Sequence, residues 1–390
     1  MGGIKSLPLP TTNPYQFIPF PLDVPRAAIP AAAGHGQTGA KGFHTGRLTC
    51  TIHQETPILA ITRGDSIDTP PAELPASGLR GMIRSVAEIA GQGCGAFIGK
   101  NGDLVFNEKG RGQRYRIEGA RFPDPSIHVP CDQFAANASV IKKMQDQDEG
   151  LPELVRRLEV CRPCSMFGFT LGQAAWCGRV RISSASTKNA FTEYQAAAGL
   201  PLRFGSPMVH HQDFYFKSGS YSTTSTYDAA KNEYVVFAGE LAGRKVYQHR
   251  GGTVPVDTSR MEGVKVWTTQ GTETFEFTVA FENLQPNELG LLCFAIELAP
   301  DLRHHFGFGK PAGFGSIRIA ISAELWSRNR YQPNYKPIAV PPQFISGLKG
   351  EFSKSLPHET AVRSALGKWL AWPARARADI AYPPYPKGFR

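Results

Sequence analysis

The chain has 390 residues, 41% of them hydrophobic, which is enough to bury one large core or two ordinary ones and excludes a disordered tail. Its 43 Lys and Arg against 33 Asp and Glu leave a net charge of +10, a field that attracts a polyanion, an acidic protein or a membrane surface. No run approaches the roughly 18–20 uncharged apolar residues of a spanning helix, and the 7 Cys, an odd number, do not form a secreted disulfide framework; a cytoplasmic protein with reduced thiols or a metal site is expected.

Pro at 8, 10, 14, 19, 21, 25 and 30 rules out a continuous helix or central strand at the start. Residues 1–45 therefore read as a Pro-rich extended arm, with Tyr15, Phe17, Ile18 and Phe20 available to pack on the body or a neighbouring subunit. From Arg47 the pattern alternates, Leu48, Cys50 and Ile52 against Thr49, Thr51 and His53, as in a half-buried strand. A loop over 62–75 follows. Leu79, Ile83, Val86 and Ile89 then recur at helical spacing, with Ser77 placed to cap. Residues 95–150 are polar, Gly-rich and basic and read as an insertion. A short helix is expected at about 152–159, and a strand at 178–183.

Residues 190–270 are loop-rich and aromatic and read as a projecting arm, with the basic cluster Gly243-Arg244-Lys245-Val246-Tyr247-Gln248-His249-Arg250. Strand periodicity returns at Phe275, Phe277, Val279 and Phe281, followed by a helix from Asn287 to about Leu298. A Gly-rich loop over 305–315 feeds the strand marked by Ile317, Ile319 and Ile321. Strand, helix and strand thus occur twice, and the Pro-rich residues after Trp326 read as a tail.

Two of these segments carry phosphate-binding chemistry. Glycines at 307, 309, 313 and 315 allow close backbone approach while Lys310 supplies a charge, although a plain glycine-rich hairpin turn has the same composition. Ser77, Gly78, Arg80 and Arg84 combine helix-start donors with two cations one turn apart; a capped surface helix with solvated arginines is the alternative. Cys161 and Cys164 have the CxxC spacing that chelates zinc, with Cys131, Cys177, Cys94 or His128 as candidates to complete the site, and two thiols packed beside Phe167 as the alternative. Cys50 and Cys293 fall on apolar faces and read as core. His210-His211 and His304-His305 invite an acid–base reading, but adjacent histidines on a strand point apart and neither pair has an identifiable partner, so a structural or RNA-contacting role is expected.

The ordered set of motifs resembles the RAMP superfamily of CRISPR-associated proteins, in particular the guide-RNA-binding backbone subunits of a type III, subtype D-like branch. The resemblance rests on Asn13-Pro14-Tyr15-Gln16-Phe17-Ile18-Pro19-Phe20, Thr56-Pro57-Ile58, the Ser77 to Arg84 segment and Met166-Phe167-Gly168-Phe169. It continues through Gly243-Arg244-Lys245-Val246-Tyr247, Phe281-Glu282-Asn283-Leu284 with Glu288-Leu289-Gly290, and the Gly307 to Gly315 loop.

The resemblance implies an α+β fold, a ferredoxin-like, RNA-recognition-type β/α core over 46–325. That core would carry insertions at about 95–160 (basic, Cys-containing, zinc-binding) and about 205–270 (a thumb-like hairpin or RNA contact), with 326–390 as the tail. It implies a scaffold that binds a guide CRISPR RNA, pairs it with a complementary target RNA, and stacks with other copies of itself and other effector subunits. Carried over, Ser77, Gly78, Arg80, Arg84, Phe308, Gly309 and Lys310 contact the guide backbone, and Arg244, Lys245, Tyr247 and His249 contact RNA or belong to the thumb. Cys131, Cys161, Cys164 and Cys177 are the expected zinc ligands. Asp65 and Asp68 occupy the loop where some relatives place an Asp for Mg²⁺-dependent target cleavage, which makes an endoribonuclease the alternative function.

Overall fold

The computed structural model describes residues 15–29, 43–95, 103–109, 114–147, 157–171, 174–186, 190–195, 215–222, 225–259, 261–326, 335–355 and 359–372. The segments with the clearest periodicity form its centre: β1 (His44–Gln54), α1 (Ala76–Ala90), β2 (Val180–Ile182), β3 (Thr274–Leu284), α2 (Pro286–Glu297) and β4 (Ser316–Leu325). The two strand–helix–strand units meet in one sheet of order β2-β3-β1-β4, every pair antiparallel. His304–His305 and Ile338–Val340 add to β4.

Alternation in β1 decides which face is inside. Leu48, Cys50 and Ile52 are fully buried and sit opposite Val279, Phe277 and Phe275 on one side and Ala323, Ile321 and Ile319 on the other. Helices α1 and α2 pack on each other over this face, and Cys293 of α2 is buried in the same core. Full burial of each Leu, Ile or Val of α1 contributes about 1.5–3 kcal/mol. On the opposite face Thr49, Thr51 and His53 register with Thr278, Glu276 and Arg318. None of those residues is Phe, Tyr or Trp, so this face lacks the paired aromatic rings that RNA-recognition sheets use.

Several local expectations are corrected. Helix α1 starts two residues earlier, with Pro75 at the N-cap and no side-chain cap, so Ser77 lies inside the first turn. The arm is no loose extension: Tyr15–Ile18 pairs antiparallel with Arg244–Tyr247, and Arg26–Ala28 with Glu159–Cys161. The basic cluster assigned to a projecting arm therefore lies against the body, with Arg244, Gln248, His249 and Arg250 all buried. Elsewhere in that stretch Glu233–Phe237 pairs in parallel with Arg114–Arg121, joining the two insertions in one sheet. Most of the helix expected at about 152–159 and the pair His210-His211 lie outside the described residues.

The Pro-rich tail contains two helices, Pro342–Lys354 and Glu359–Leu370. Pro341 is the N-cap of the first and Pro342 its first residue, a position where the missing N–H has no intrahelical acceptor to lose. Ile345, Leu348, Phe352, Leu366 and Leu370 join the main core, and the second helix packs on both Tyr15–Ile18 and Arg244–Tyr247. Among the described residues no helix is long and apolar enough to cross a membrane.

Candidate nucleic-acid interface

A groove of about 800 Å³ lies where the first turn of α1, the strand Leu59–Arg63, the Gly-rich loop and the strand Arg244–Tyr247 meet. Ser77 and Gly78 line one wall; Lys245 and Tyr247 line another; His305, Phe306, Phe308 and Lys310 line a third. Two segments more than 200 positions apart in sequence, Ser77–Gly78 and Gly307–Lys310, thus share one cavity. Gly78 lets α1 rest on the loop, since a Cβ there would come within 3.2 Å of the Phe306 ring.

The loop is rigid by construction. Phe308 N–H donates to the Leu59 carbonyl at 2.8 Å, Phe306 N–H to the Gly315 carbonyl at 2.8 Å, and Gly315 N–H to the Pro57 carbonyl at 2.8 Å. Gly315 has φ +75°, and a Cβ on it would overlap the Phe306 carbonyl oxygen. Gly315→Ala is expected to cost about 1–3 kcal/mol, seen as a lower thermal midpoint. Gly350→Ala, in the open middle of a helix, is expected to raise the midpoint instead.

The two lysines of the groove are desolvated cations. Lys310 has no hydrogen-bond acceptor or acidic partner among the described residues, and burial lowers its pKa. Lys245 Nζ lies 3.8 Å from the centre of the Tyr15 ring, with Tyr215 and Tyr247 at 5.3 and 5.2 Å, and donates to the Tyr215 hydroxyl at 3.0 Å. Burial pushes its pKa down to about 8 despite this cage of π faces. Tyr15 and Tyr215 were not legible as site residues; Tyr15 stood in a quoted motif, but only as a packing group.

The arginines behave differently. Arg80 turns away from the groove and donates to the carbonyls of Val180 and Phe167. Arg84 and Arg244 are buried and share Glu88, at 2.8 and 2.7 Å. None of the three presents a free guanidinium to a phosphate. His249 is also internal: its Nε2–H donates to the Arg303 carbonyl at 3.1 Å, Nδ1 accepts from Ser316 Oγ at 2.8 Å, and the ring stacks on His305 at 3.9 Å. His304 donates through Nε2 to the Ile296 carbonyl at 2.9 Å. Burial pushes His249 and His304 down to about 4, so both are neutral braces behind the loop.

Asp65 sits in an exposed turn, Gly64–Ser66, and exposed Asp68 is paired with Lys265 at 3.1 Å. Neither lines the groove. Among the described residues the cysteines form the one group of three or more His, Cys, Asp or Glu close enough to share a metal ion.

That group is Cys94, Cys131, Cys161 and Cys164, all buried, with their sulfurs within 4.8 Å of one another. Cys94 Sγ and Cys164 Sγ are 3.6 Å apart, near the edge of about 3.8 Å that a tetrahedron with 2.3 Å metal–sulfur bonds requires. The fold delivers Cys94 from the end of α1 and Cys161 and Cys164 from a strand and the helix after it. Asn137 clamps the remainder, donating to the Cys131 carbonyl at 2.6 Å and the Glu159 carbonyl at 2.7 Å. Cys177 lies outside this group: it is exposed, in the turn before β2, and Cys94 stands in the cluster instead. His128 is spent on the Pro21 carbonyl at 2.6 Å. These thiols fit a divalent soft or borderline ion.

Comparison with known proteins adds the family. The crystal structure of Thermofilum pendens Csc2 aligns with 11% identity over 86% of this chain and 85% of that one, with a TM-score of 0.29. A type IV-B CRISPR complex aligns with 12% identity over 74% of this chain and 93% of that one, with a TM-score of 0.25. No curated protein matches. The sequence model of the RAMP superfamily matches residues 63–318, about two thirds of the chain and all of the groove lining except Leu59, Ala60, Ile61, Thr62 and Leu370, and the chain belongs to that superfamily.

Proposed function

We propose that this chain is a guide-RNA-binding backbone subunit of a multisubunit CRISPR effector, built on a ferredoxin-like core whose strand order and paired helices are those of α1, α2 and β1–β4, and that its groove holds the sugar–phosphate backbone of single-stranded RNA. The observation that carries this reading is the convergence of Lys245 and Lys310 with the Ser77–Gly78 turn on one groove. A half-buried ammonium with no acid beside it is partly desolvated at a cost and is complementary to a phosphate. Tyr247 and Phe308 give bases a surface to stack on. Membership of the RAMP superfamily supports the same reading, and Phe308, Gly309 and Lys310 keep the roles the resemblance gave them, whereas Arg80, Arg84, Arg244 and His249 become supports. The four-cysteine cluster holds zinc, which closes the insertion onto α1 when bound.

Cleavage by Asp65 or Asp68 is not part of this proposal, because Asp68 and Glu193 are both bound by the Lys265 ammonium, at 3.1 and 2.9 Å, and neither Asp65 nor Asp68 lines the groove.

The test is the affinity of the zinc-loaded chain for single-stranded RNA as a function of salt. The Lys245→Ala, Lys310→Ala double variant is expected to bind roughly 10- to 100-fold more weakly, with the slope of log affinity against log salt reduced by about 1.4, or about 0.7 per lost phosphate contact. Unchanged affinity and slope would refute the groove as the RNA site. Affinity is also expected to depend on pH. Lys245 is charged below about 8 and loses its proton as pH rises through that value, so binding falls roughly tenfold toward about pH 9. Lys245→Arg, which stays charged, should flatten that fall.

A further inference from the structure

The cysteine cluster and the groove are joined by a closed circuit of side chains. Arg84 Nη2 lies 3.8 Å from Cys164 Sγ, and Arg84 Nε donates to Glu88 Oε1 at 2.8 Å. Glu88 Oε2 accepts from Arg244 Nη1 at 2.7 Å, and Arg244 Nη2 donates to the carbonyls of Gly93 and Cys94. Cys94 returns to Cys164 at 3.6 Å. Arg84, Glu88 and Arg244 are 7%, 5% and 8% exposed, so water contributes little to balancing their charges.

Both ends of this circuit lie on elements that form the groove. Arg84 and Glu88 are on α1, whose first turn supplies Ser77 and Gly78; Arg244 directly precedes Lys245. The strand Arg244–Tyr247 pairs only with Tyr15–Ile18 among the described strands, so the Arg244 guanidinium is a main tether of that wall to the body.

The local charge depends on the metal. With thiols protonated, two guanidiniums face one carboxylate and the buried patch carries an uncompensated positive charge. A divalent ion held by four thiolates brings two negative charges to the same place, and Arg84 is the cation that touches them. Without the ion, Arg84 and Arg244 share Glu88 alone, one on each oxygen, and their mutual repulsion lacks the counter-charge that the cluster would supply, which weakens the hold of Glu88 on both.

We infer that Arg84, Glu88 and Arg244 are positioning residues that couple occupancy of the four-cysteine cluster to the RNA groove, so that a bound divalent metal sets the affinity for single-stranded RNA. This rests on the RNA-binding reading given above. By linkage the effect is reciprocal: RNA raises the affinity for the metal by the same factor.

The test uses the full chain with zinc bound and after zinc is stripped by a chelator, for wild type and Arg84→Met, with two readouts. In the first, RNA affinity of wild type is expected to fall about tenfold on stripping, whereas Arg84→Met, which leaves Glu88 and Arg244 paired one to one, changes less than about twofold. Wild-type affinity independent of zinc, or a variant that keeps the full zinc dependence, would overturn the coupling. The second readout is amide hydrogen exchange without RNA. Stripping zinc from wild type is expected to speed exchange at 244–247 and 88–94 while β1 and β3 stay protected. No change at 244–247, or equal loss across β1 and β3, counts against the inference even when no RNA is bound. If the zinc-loaded wild type fails to bind RNA while this exchange pattern appears, the groove reading fails and the circuit stands.

Discussion

Replacing Glu88 with alanine is expected to destabilise the protein by about 3–5 kcal/mol, measured as a lower denaturant midpoint at unchanged slope. The size follows from what remains. Glu88 is the shared carboxylate of Arg84 and Arg244, and its loss strands two guanidiniums that are 7% and 8% exposed. Arg244 would keep the carbonyls of Gly93 and Cys94, which accept a hydrogen bond but do not cancel a charge. The pair Arg47–Glu324 provides the contrast. Its N–O distance is 2.9 Å, but the Arg47 side chain is 45% exposed, so Arg47→Ala is expected to cost less than about 1 kcal/mol. A Glu88→Ala cost as small as that of Arg47→Ala would mean that the buried circuit carries no net stabilisation.

Zinc affinity is expected to fall at least about a hundredfold for each pH unit of acidification near neutrality. The Cys164 thiol is pushed well up by hydrogen bonds with Cys131, Cys161 and Cys94 and by burial; Cys161 is pushed up chiefly by burial. Both are therefore protonated at neutral pH, and a metal must displace those protons to bind thiolate. Each displaced proton contributes one decade per pH unit, so these two set the lower limit. The sign is fixed: acid favours the thiol and opposes the metal. Competition against a chromophoric chelator of known pH response, run at about pH 7 and about pH 6, measures the slope. A slope below one decade would show that the cluster does not bind as thiolates.

The parts of the fold that were legible in the sequence are those where one face is buried. The alternation of Leu48, Cys50 and Ile52 and the helical spacing of Leu79, Ile83, Val86 and Ile89 follow directly from the core they enter. The helix Pro342–Lys354 was missed although Ile345, Leu348 and Phe352 stand at helical spacing, because its prolines were weighed as breakers and not as a helix start. Charge was legible but its use was not. Arg80, Arg84 and Arg244 read as phosphate contacts because a sequence shows cations without the carbonyls that the fold brings to them. The Arg84 and Glu88 spacing of four was visible and pointed to an ion pair; the approach of Arg244 from 156 positions away was not. Cys177 was named among the expected ligands and Cys94 only as a further candidate, whereas the turn that follows α1 brings Cys94 to the CxxC helix.

The helix Glu359–Leu370 braces the strand pair that carries Lys245, and its Leu370 closes the groove opposite a wall whose cage includes Tyr15. Tyr15 and Leu370 are 355 positions apart. The four central strands are all made before this helix, so the groove is completed, and the core closed by Leu366 and Leu370, only by the last of the described segments. On the proposed RNA-binding reading, a chain that ends before Glu359 is therefore expected to keep its groove lysines but to hold single-stranded RNA more weakly than the full chain.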